Sequence, residues 1–282
     1  MRGAFVAVLG LVIAACGSVE GPLLRRVGGA GAASGSDGGG SDGGAGAGGP
    51  SNTIPQSVTW QYQLTGTVDY QADVDLFVID LFEPDSAQLA DLHARGKIAI
   101  AYLSAGTRES YRADADDFPE TAVGNDLDNY PDEAWLDIRN TTVRSLMAAR
   151  LQLARDKGFD GVLPTNMAGY RIDTGFDLTA DDQRDYNLWL ATEAHARALL
   201  IGLAGDFLQA ELTVDQFDWA VHYGCISRGD CAALEVFKER GKTVLDVETE
   251  GEAAEICAQA QQLGINVLIK RPQFDAYRVG CL

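Results

Sequence analysis

Gly158-Phe159-Asp160-Gly161-Val162-Leu163-Pro164-Thr165-Asn166 decides how the chain is read. Gly158 stops the helical pattern of residues 142–157, and residues 161–164 then form a short apolar run that opens into a turn. Helix, glycine stop and buried strand is the unit from which parallel sheets are built. Outward from this segment the unit recurs. Strands are expected at residues 59–63, 76–81, 98–103, 161–164, 199–203, 219–223, 244–248 and 267–270. Helices are expected at 86–95, 142–157, 180–198 and 251–263, with Gly96, Gly158 and Gly264 as stops. Eight strands alternating with helices predict a single-domain α/β (β/α)8 TIM barrel. Its site would lie at the C-terminal ends of the strands. The long connection at 105–140 carries Arg108, Arg112, Asp114, Tyr130 and Trp135, and a loop of that length on a compact scaffold is often functional.

The N-terminal residues read as processing and tether. Arg2 precedes an apolar run too short to span a bilayer, which ends in Ile13-Ala14-Ala15-Cys16. That ending has the form of a lipoprotein signal, with residues 1–15 removed and Cys16 acylated; an ordinary secretory signal is the alternative. Residues 16–53 are mostly Gly, Ala and Ser, a composition that cannot bury enough surface to fold. As a random coil such a linker reaches about 30–35 Å. Residues 54–282 are left for the barrel. The expected location is outside the cytoplasm, on a membrane through Cys16 or free.

The formal net charge is −19, from 22 basic and 41 acidic residues, which argues against nucleic acid as a partner. It suits a cationic polysaccharide, or simply a solvated surface. Beyond Cys16 the cysteines are Cys225, Cys231, Cys257 and Cys281. An even count in an exported chain suggests disulfides. Four cysteines allow three pairings; Cys225–Cys231 would close a short loop, leaving Cys257–Cys281. The spacing does not suit zinc and the sequence has only 3 His, so neither metal nor cofactor is expected.

The 158–166 stretch is similar to the Gly-Phe-Asp-Gly-Val-Glu-Pro-Asp-Asn signature of the endo-alpha-1,4-polygalactosaminidase family, TIM-barrel glycoside hydrolases. Trp60-Gln61-Tyr62-Gln63-Leu64, Ile79-Asp80-Leu81-Phe82 and Ala101-Tyr102-Leu103-Ser104-Ala105-Gly106 with Arg112 and Asp114 match in order. Trp135-Leu136-Asp137-Ile138-Arg139, Gly175-Phe176 and Asp182-Gln183 with Tyr186-Asn187 continue the match. The resemblance implies two catalytic carboxylates, since sugar cleavage needs an acid and a nucleophile or base. It places them in Glu-Pro-Asp-Asn and in an Asn-Glu-Gln-Cys after the sixth strand.

Here those segments read Leu163-Pro164-Thr165-Asn166 and His222-Tyr223-Gly224-Cys225, and a family Lys-Asn is replaced by Ala204-Gly205. Thr165 and Tyr223 are poor proton carriers at neutral pH. The expectation is therefore a lipid-anchored protein that binds an amino-sugar polymer with hydrolysis lost or much reduced. Candidate substrate-binding residues are Asp80, Ser104, Arg112, Asp114, Trp135, Asn166, Tyr170, Tyr223 and Glu248, with Arg271 near a strand end. Asp80 and Glu248 form a fallback catalytic pair if they face each other across the cleft; Asp246 shares the face of Glu248, so the two could equally be a structural cluster. A structural or interaction module is the remaining alternative. Asp137 and Asp160 read as internal hydrogen-bond partners, Trp60 and Trp135 as core or cleft, and His93, His195 and His222 as packing or surface residues.

Overall fold

The computed structural model describes residues 53–281. Its strands are β1 (Trp60–Gln63), β2 (Leu76–Asp80), β3 (Ile98–Ser104), β4 (Thr107–Glu109), β5 (Val123–Leu127) and β6 (Tyr130–Leu136). They continue with β7 (Gly161–Thr165), β8 (Leu200–Ala204), β9 (Trp219–Tyr223), β10 (Thr243–Glu248), β11 (Asn266–Ile269) and β12 (Val279–Cys281). The helices are α1 (Ser86–Ala94), α2 (Thr141–Lys157), α3 (Ala180–Ala196), α4 (Ala210–Thr213), α5 (Cys225–Arg228), α6 (Glu235–Glu239) and α7 (Ala253–Leu263).

Eight strands run parallel in the order β1-β2-β3-β7-β8-β9-β10-β11, and β12 adds antiparallel to the free edge of β11. Both faces of these strands are apolar, as a buried parallel sheet requires. Val78, Ile100, Leu163, Trp219, Val221 and Leu245 fill the interior. Phe77, Ala101, Val162, Ile201 and Ala220 pack outward with helix residues such as Leu89, Met147 and Leu190. Gly202 makes room for the interior indole, because a Cβ there would lie 2.6 Å from a Trp219 ring atom.

Local chemistry fixes the helix limits. Asp85 and Gln88 form a capping box on α1, and Thr179 and Asp182 form one on α3. Asn140 caps α2, which ends at Gly158 in a left-handed turn. Asp160 accepts from the Ala99 amide and contacts His93 Nε2 at 2.9 Å, so both side chains belong to the strand–helix frame.

The seam between the first and last parallel strands is closed by side chains. Trp60 Nε1 donates to Asn266 Oδ1 (3.1 Å), and Asn266 Nδ2 to the Val58 carbonyl (2.6 Å). Lys270 Nζ donates to Gln61 Oε1 (2.8 Å). Both expected disulfides are present, Cys225–Cys231 and Cys257–Cys281, the second tying α7 to β12.

The 105–140 connection is more ordered than its reading as a loop. It contains a three-stranded antiparallel sheet, β4-β6-β5. Trp135 is 3 % exposed there and packs with Leu127 and Tyr130, which places this candidate binding aromatic in a core rather than in an open cleft.

Candidate functional site

Alternation along each strand decides what the barrel mouth is made of. Leu76 and Val78 of β2 face inward, so Asp80 at the strand end does too. The same parity turns Ser104 of β3, Thr165 of β7 and Tyr223 of β9 toward the mouth. In β10 the inward residues are Leu245 and Val247, which leaves Asp246 and Glu248 on the outer face.

Along β1, β7 and β9 the mouth is neutral. Tyr62 is its hub, with rings of Tyr102, Tyr223 and Phe274 edge-on against it. The Tyr62 and Tyr223 hydroxyls lie 2.9 Å apart. Thr165 is buried, donating to the Leu103 carbonyl (3.3 Å), and Leu163 beneath it is fully enclosed. Burial raises the Tyr62, Tyr102 and Tyr223 hydroxyls well above their ordinary range. None of the three ionises near neutral pH.

Across β2, β3 and the inserted sheet the mouth is charged. Arg112 forks onto Asp80 (Nη1–Oδ1 3.0 Å, Nη2–Oδ2 2.5 Å) and onto Glu109 (Nε–Oε2 2.9 Å). It also lies 4.5 Å over the Phe82 ring. Burial alone would lower the Arg112 pKa, but Glu109 and Asp80 outweigh it and hold the guanidinium charged. Arg150 of α2, 2 % exposed, clamps Asp114 with bonds of 2.8 and 2.9 Å and donates to the Ser104 carbonyl (3.0 Å).

Glu133 stands directly opposite Glu109 in the β4–β6 register. Its Oε2 accepts from Thr107 Oγ1 (2.8 Å). Burial, then the charge of Glu109, push its carboxyl up to about 7. Thr107 lies 2.5 Å from Ser104 Oγ, and Asn166 Nδ2 donates to both hydroxyls (3.0 and 3.1 Å). Asn166 adopts φ 60°, and its carbonyl passes so close to Gly106 that a Cβ there would lie 1.8 Å away. This contact locks the β7 turn against the start of the insert.

Beyond β8, Asp206 accepts from Tyr170 (3.0 Å), Asn187 (3.1 Å) and Gln209 (2.9 Å), and burial pushes it up to about 6. Glu248 Oε1 accepts from the Ile226 and Ser227 amides (2.7 and 3.1 Å) and Asp246 from the Cys225 amide (3.0 Å). Burial and then Asp246 push Glu248 up to about 7. His222, Cys225 and Asp246 converge as metal ligands would, but the Cys225 sulfur is bonded to Cys231.

The fallback pair is thus not brought together. Asp80 is held by Arg112 at the mouth, whereas Glu248 caps the α5 turn on the outer face of β10. Asp80, Ser104, Arg112, Asp114 and Asn166 do form one connected cluster with Glu109 and Arg150. Arg271 lies apart, paired with Asp275 and stacked on Tyr277. Sequence reading passed over Glu133, Arg150 and Asp206. For Glu133 the sequence offered no local signal, because the stretch Tyr130-Pro131-Asp132-Glu133-Ala134-Trp135-Leu136 does not alternate.

A family model for the glycoside-hydrolase family GH114 matches residues 44–282. The chain belongs to glycoside-hydrolase family GH114. Among solved structures it is similar to Ega3 of Aspergillus fumigatus, crystallised with galactosamine, at 33% identity and TM-score 0.77. That match covers 81% of this chain and 97% of Ega3. The glycoside hydrolase domain of PelA from Pseudomonas aeruginosa matches at 13% identity and TM-score 0.64, over 78% of this chain and 97% of that domain; at this identity it supports the fold alone. No curated protein matches the sequence.

Proposed function

We propose that this GH114 protein binds an amino-sugar polysaccharide at the mouth of its barrel and has lost all or most of the hydrolytic activity. One observation carries the reading. The strand-end positions to which the family resemblance assigns catalytic acids hold Thr165 and Tyr223, and both point into the mouth. Neither can protonate a glycosidic oxygen or attack a sugar carbon near neutral pH, so the two-carboxylate chemistry lacks its groups there. Asp80 does not replace them while it serves as the counter-ion of Arg112, and Glu248 lies on the far side of the wall. The polar and aromatic rim is suited to holding a sugar, and the similarity to a galactosamine-bound relative favours an amino sugar.

The chain would be exported by residues 1–15, acylated at Cys16 and carried on the 16–53 linker, with the barrel in 54–282. Residues 1–52, which carry the signal, Cys16 and nearly all of the linker, lie outside the described residues. Fatty-acid labelling of wild type that vanishes in Cys16→Ser supports the anchor; label on neither removes it.

The site is tested with an α-1,4-linked galactosamine polymer. Calorimetry should show binding, and no new reducing ends should form. If the polymer is shortened, loss of hydrolysis is refuted. If it neither binds nor is cut, the binding reading goes too.

A further inference from the structure

Among the described residues three buried carboxylate oxygens accept no hydrogen bond, Asp230 Oδ1, Asp246 Oδ2 and Glu248 Oε2, and all three residues border the α5 turn. Asp246 and Glu248 stand two apart on the outer face of β10, both 0 % exposed. Each commits one oxygen to α5. Asp246 Oδ1 accepts from the Cys225 amide, and Glu248 Oε1 from the Ile226 and Ser227 amides. The remaining oxygens have no donor, yet the two side chains lie within hydrogen-bonding reach of each other. Two ionised carboxylates are acceptors only, and side by side in a buried setting they repel. One proton held between them supplies the missing partner and leaves a single charge, which the three α5 amides share.

The charged groups around the pair do not take the place of that proton. His222 of β9 is the register partner of Asp246, with Nδ1 3.7 Å from Oδ1. Arg228 of α5 turns to His222 (Nη2–Nδ1 3.3 Å) and to Asp230 (Nε–Oδ2 3.5 Å), and Asp230 approaches the other imidazole nitrogen (Oδ1–Nε2 3.7 Å). In α6, Lys238 pairs with Glu235, and Glu239 is exposed. Lys270, after β11, points to Gln61 and the Asp275 carbonyl. α7 packs on α5 and starts beside Glu252 and Glu255, both exposed.

We propose that Asp246 and Glu248 hold a single shared proton that latches the α5 turn to the barrel wall, and that its loss releases the turn directly behind Tyr223 of the mouth. The connection is short. Tyr223 ends β9, Gly224 follows at φ 77°, and Cys225 opens α5. Glu248 Oε2 lies 3.7 Å from where a Gly224 Cβ would stand. Burial and then Asp246 raise the Glu248 carboxyl from 4.5 to about 7. The proton is therefore held below about pH 7 and lost as pH rises through it. Two full negative charges then meet beneath the turn, and water must enter to separate them. The Cys225–Cys231 disulfide limits how far the loosened turn can travel. The latch does not depend on the reading of the sugar site.

The test is hydrogen exchange at the Cys225, Ile226 and Ser227 amides, compared as protection factors at about pH 6 and about pH 8 so that the base catalysis common to all amides cancels. In Glu248→Gln the side-chain amide donates to Asp246 while its carbonyl accepts from α5, which copies the protonated pair at every pH. Wild type should lose about tenfold protection between the two conditions, the fall in the protonated pair across a midpoint of about 7. Glu248→Gln should lose none. Asp246→Asn makes the same replacement from the other side, should behave alike, and serves if the glutamine variant does not fold. Equal protection at both pH values in wild type, or the same loss in the variants, overturns the latch. If millimolar calcium restores wild-type protection at the higher pH to its acid value, the pair is a cation site and the shared-proton latch is likewise wrong.

Discussion

The two sides of the barrel mouth solve the same problem with opposite chemistry. On the β1, β7 and β9 side, inward strand ends carry Tyr62, Thr165 and Tyr223, which satisfy one another or the backbone and do not ionise. On the β2 and β3 side and its inserted sheet, Asp80, Glu109 and Asp114 remain, each held by Arg112 or Arg150. Acidic groups persist where they brace the fold, and the two strand-end positions to which the family resemblance assigns acids hold Thr165 and Tyr223. A charged network in a buried setting is retained by its own interlocking, because deleting one member leaves the rest unpaired. The neutral side has no such constraint.

Arg150→Ala strikes the braced side and should show the largest effect. It strands Asp114, empties a buried site and frees the Ser104 carbonyl. A loss of about 3–5 kcal/mol is expected, read from urea unfolding. A loss below about 1 kcal/mol would mean that the network does not hold this side together.

The pH dependence of stability comes next. Glu133 and Glu248 have folded-state values raised to about 7 from 4.5. The folded chain therefore keeps protons that the unfolded chain releases. Their contribution is full below about pH 4.5 and is lost as pH rises through about 7. Asp206, raised to about 6, acts in the same direction. Lys270, lowered by burial from 10.5 to about 7, acts in the opposite direction above pH 7, so the net effect expected is melting about 5 °C higher at pH 5.5 than at pH 8, roughly 2 kcal/mol. A flat profile would show these carboxyls to be better solvated than their burial implies.

Tyr223→Phe tests the neutral side and should do least. It removes one hydroxyl pair with Tyr62 and keeps the ring, so about 1 kcal/mol is expected by thermal melting. A cost approaching that of Arg150→Ala would erase the contrast between the two sides.

The barrel itself was legible in the sequence. Residues 219–223 form β9 as expected, and the other seven strands lie within one residue of their expected limits, because apolar runs bounded by glycine and capping residues encode them locally. Other features depended on pairing that no local pattern reveals. Val123–Leu127 and Tyr130–Leu136 form strands by pairing with each other, the second also with β4, and the setting of Glu133 exists only once Glu109 lies opposite it. Glu248 shows a different limit. Val244 and Leu245 are both apolar, so alternation in β10 did not say which face was inward, and with it whether Glu248 belonged to the mouth or to the α5 turn.

The seam has a consequence for how the molecule is made. Its closing contacts join Trp60 to Asn266 and Gln61 to Lys270, separations of 206 and 209 residues, with β12 added after both. A chain growing from its N-terminus can pair β1 with β2 and β3 early, yet it stays an open curved ribbon with an unpaired β11 edge until residues 279–281 emerge. Closure is thus deferred to the last stretch of synthesis. Until then the ribbon offers proteases and chaperones an edge that the finished barrel does not have.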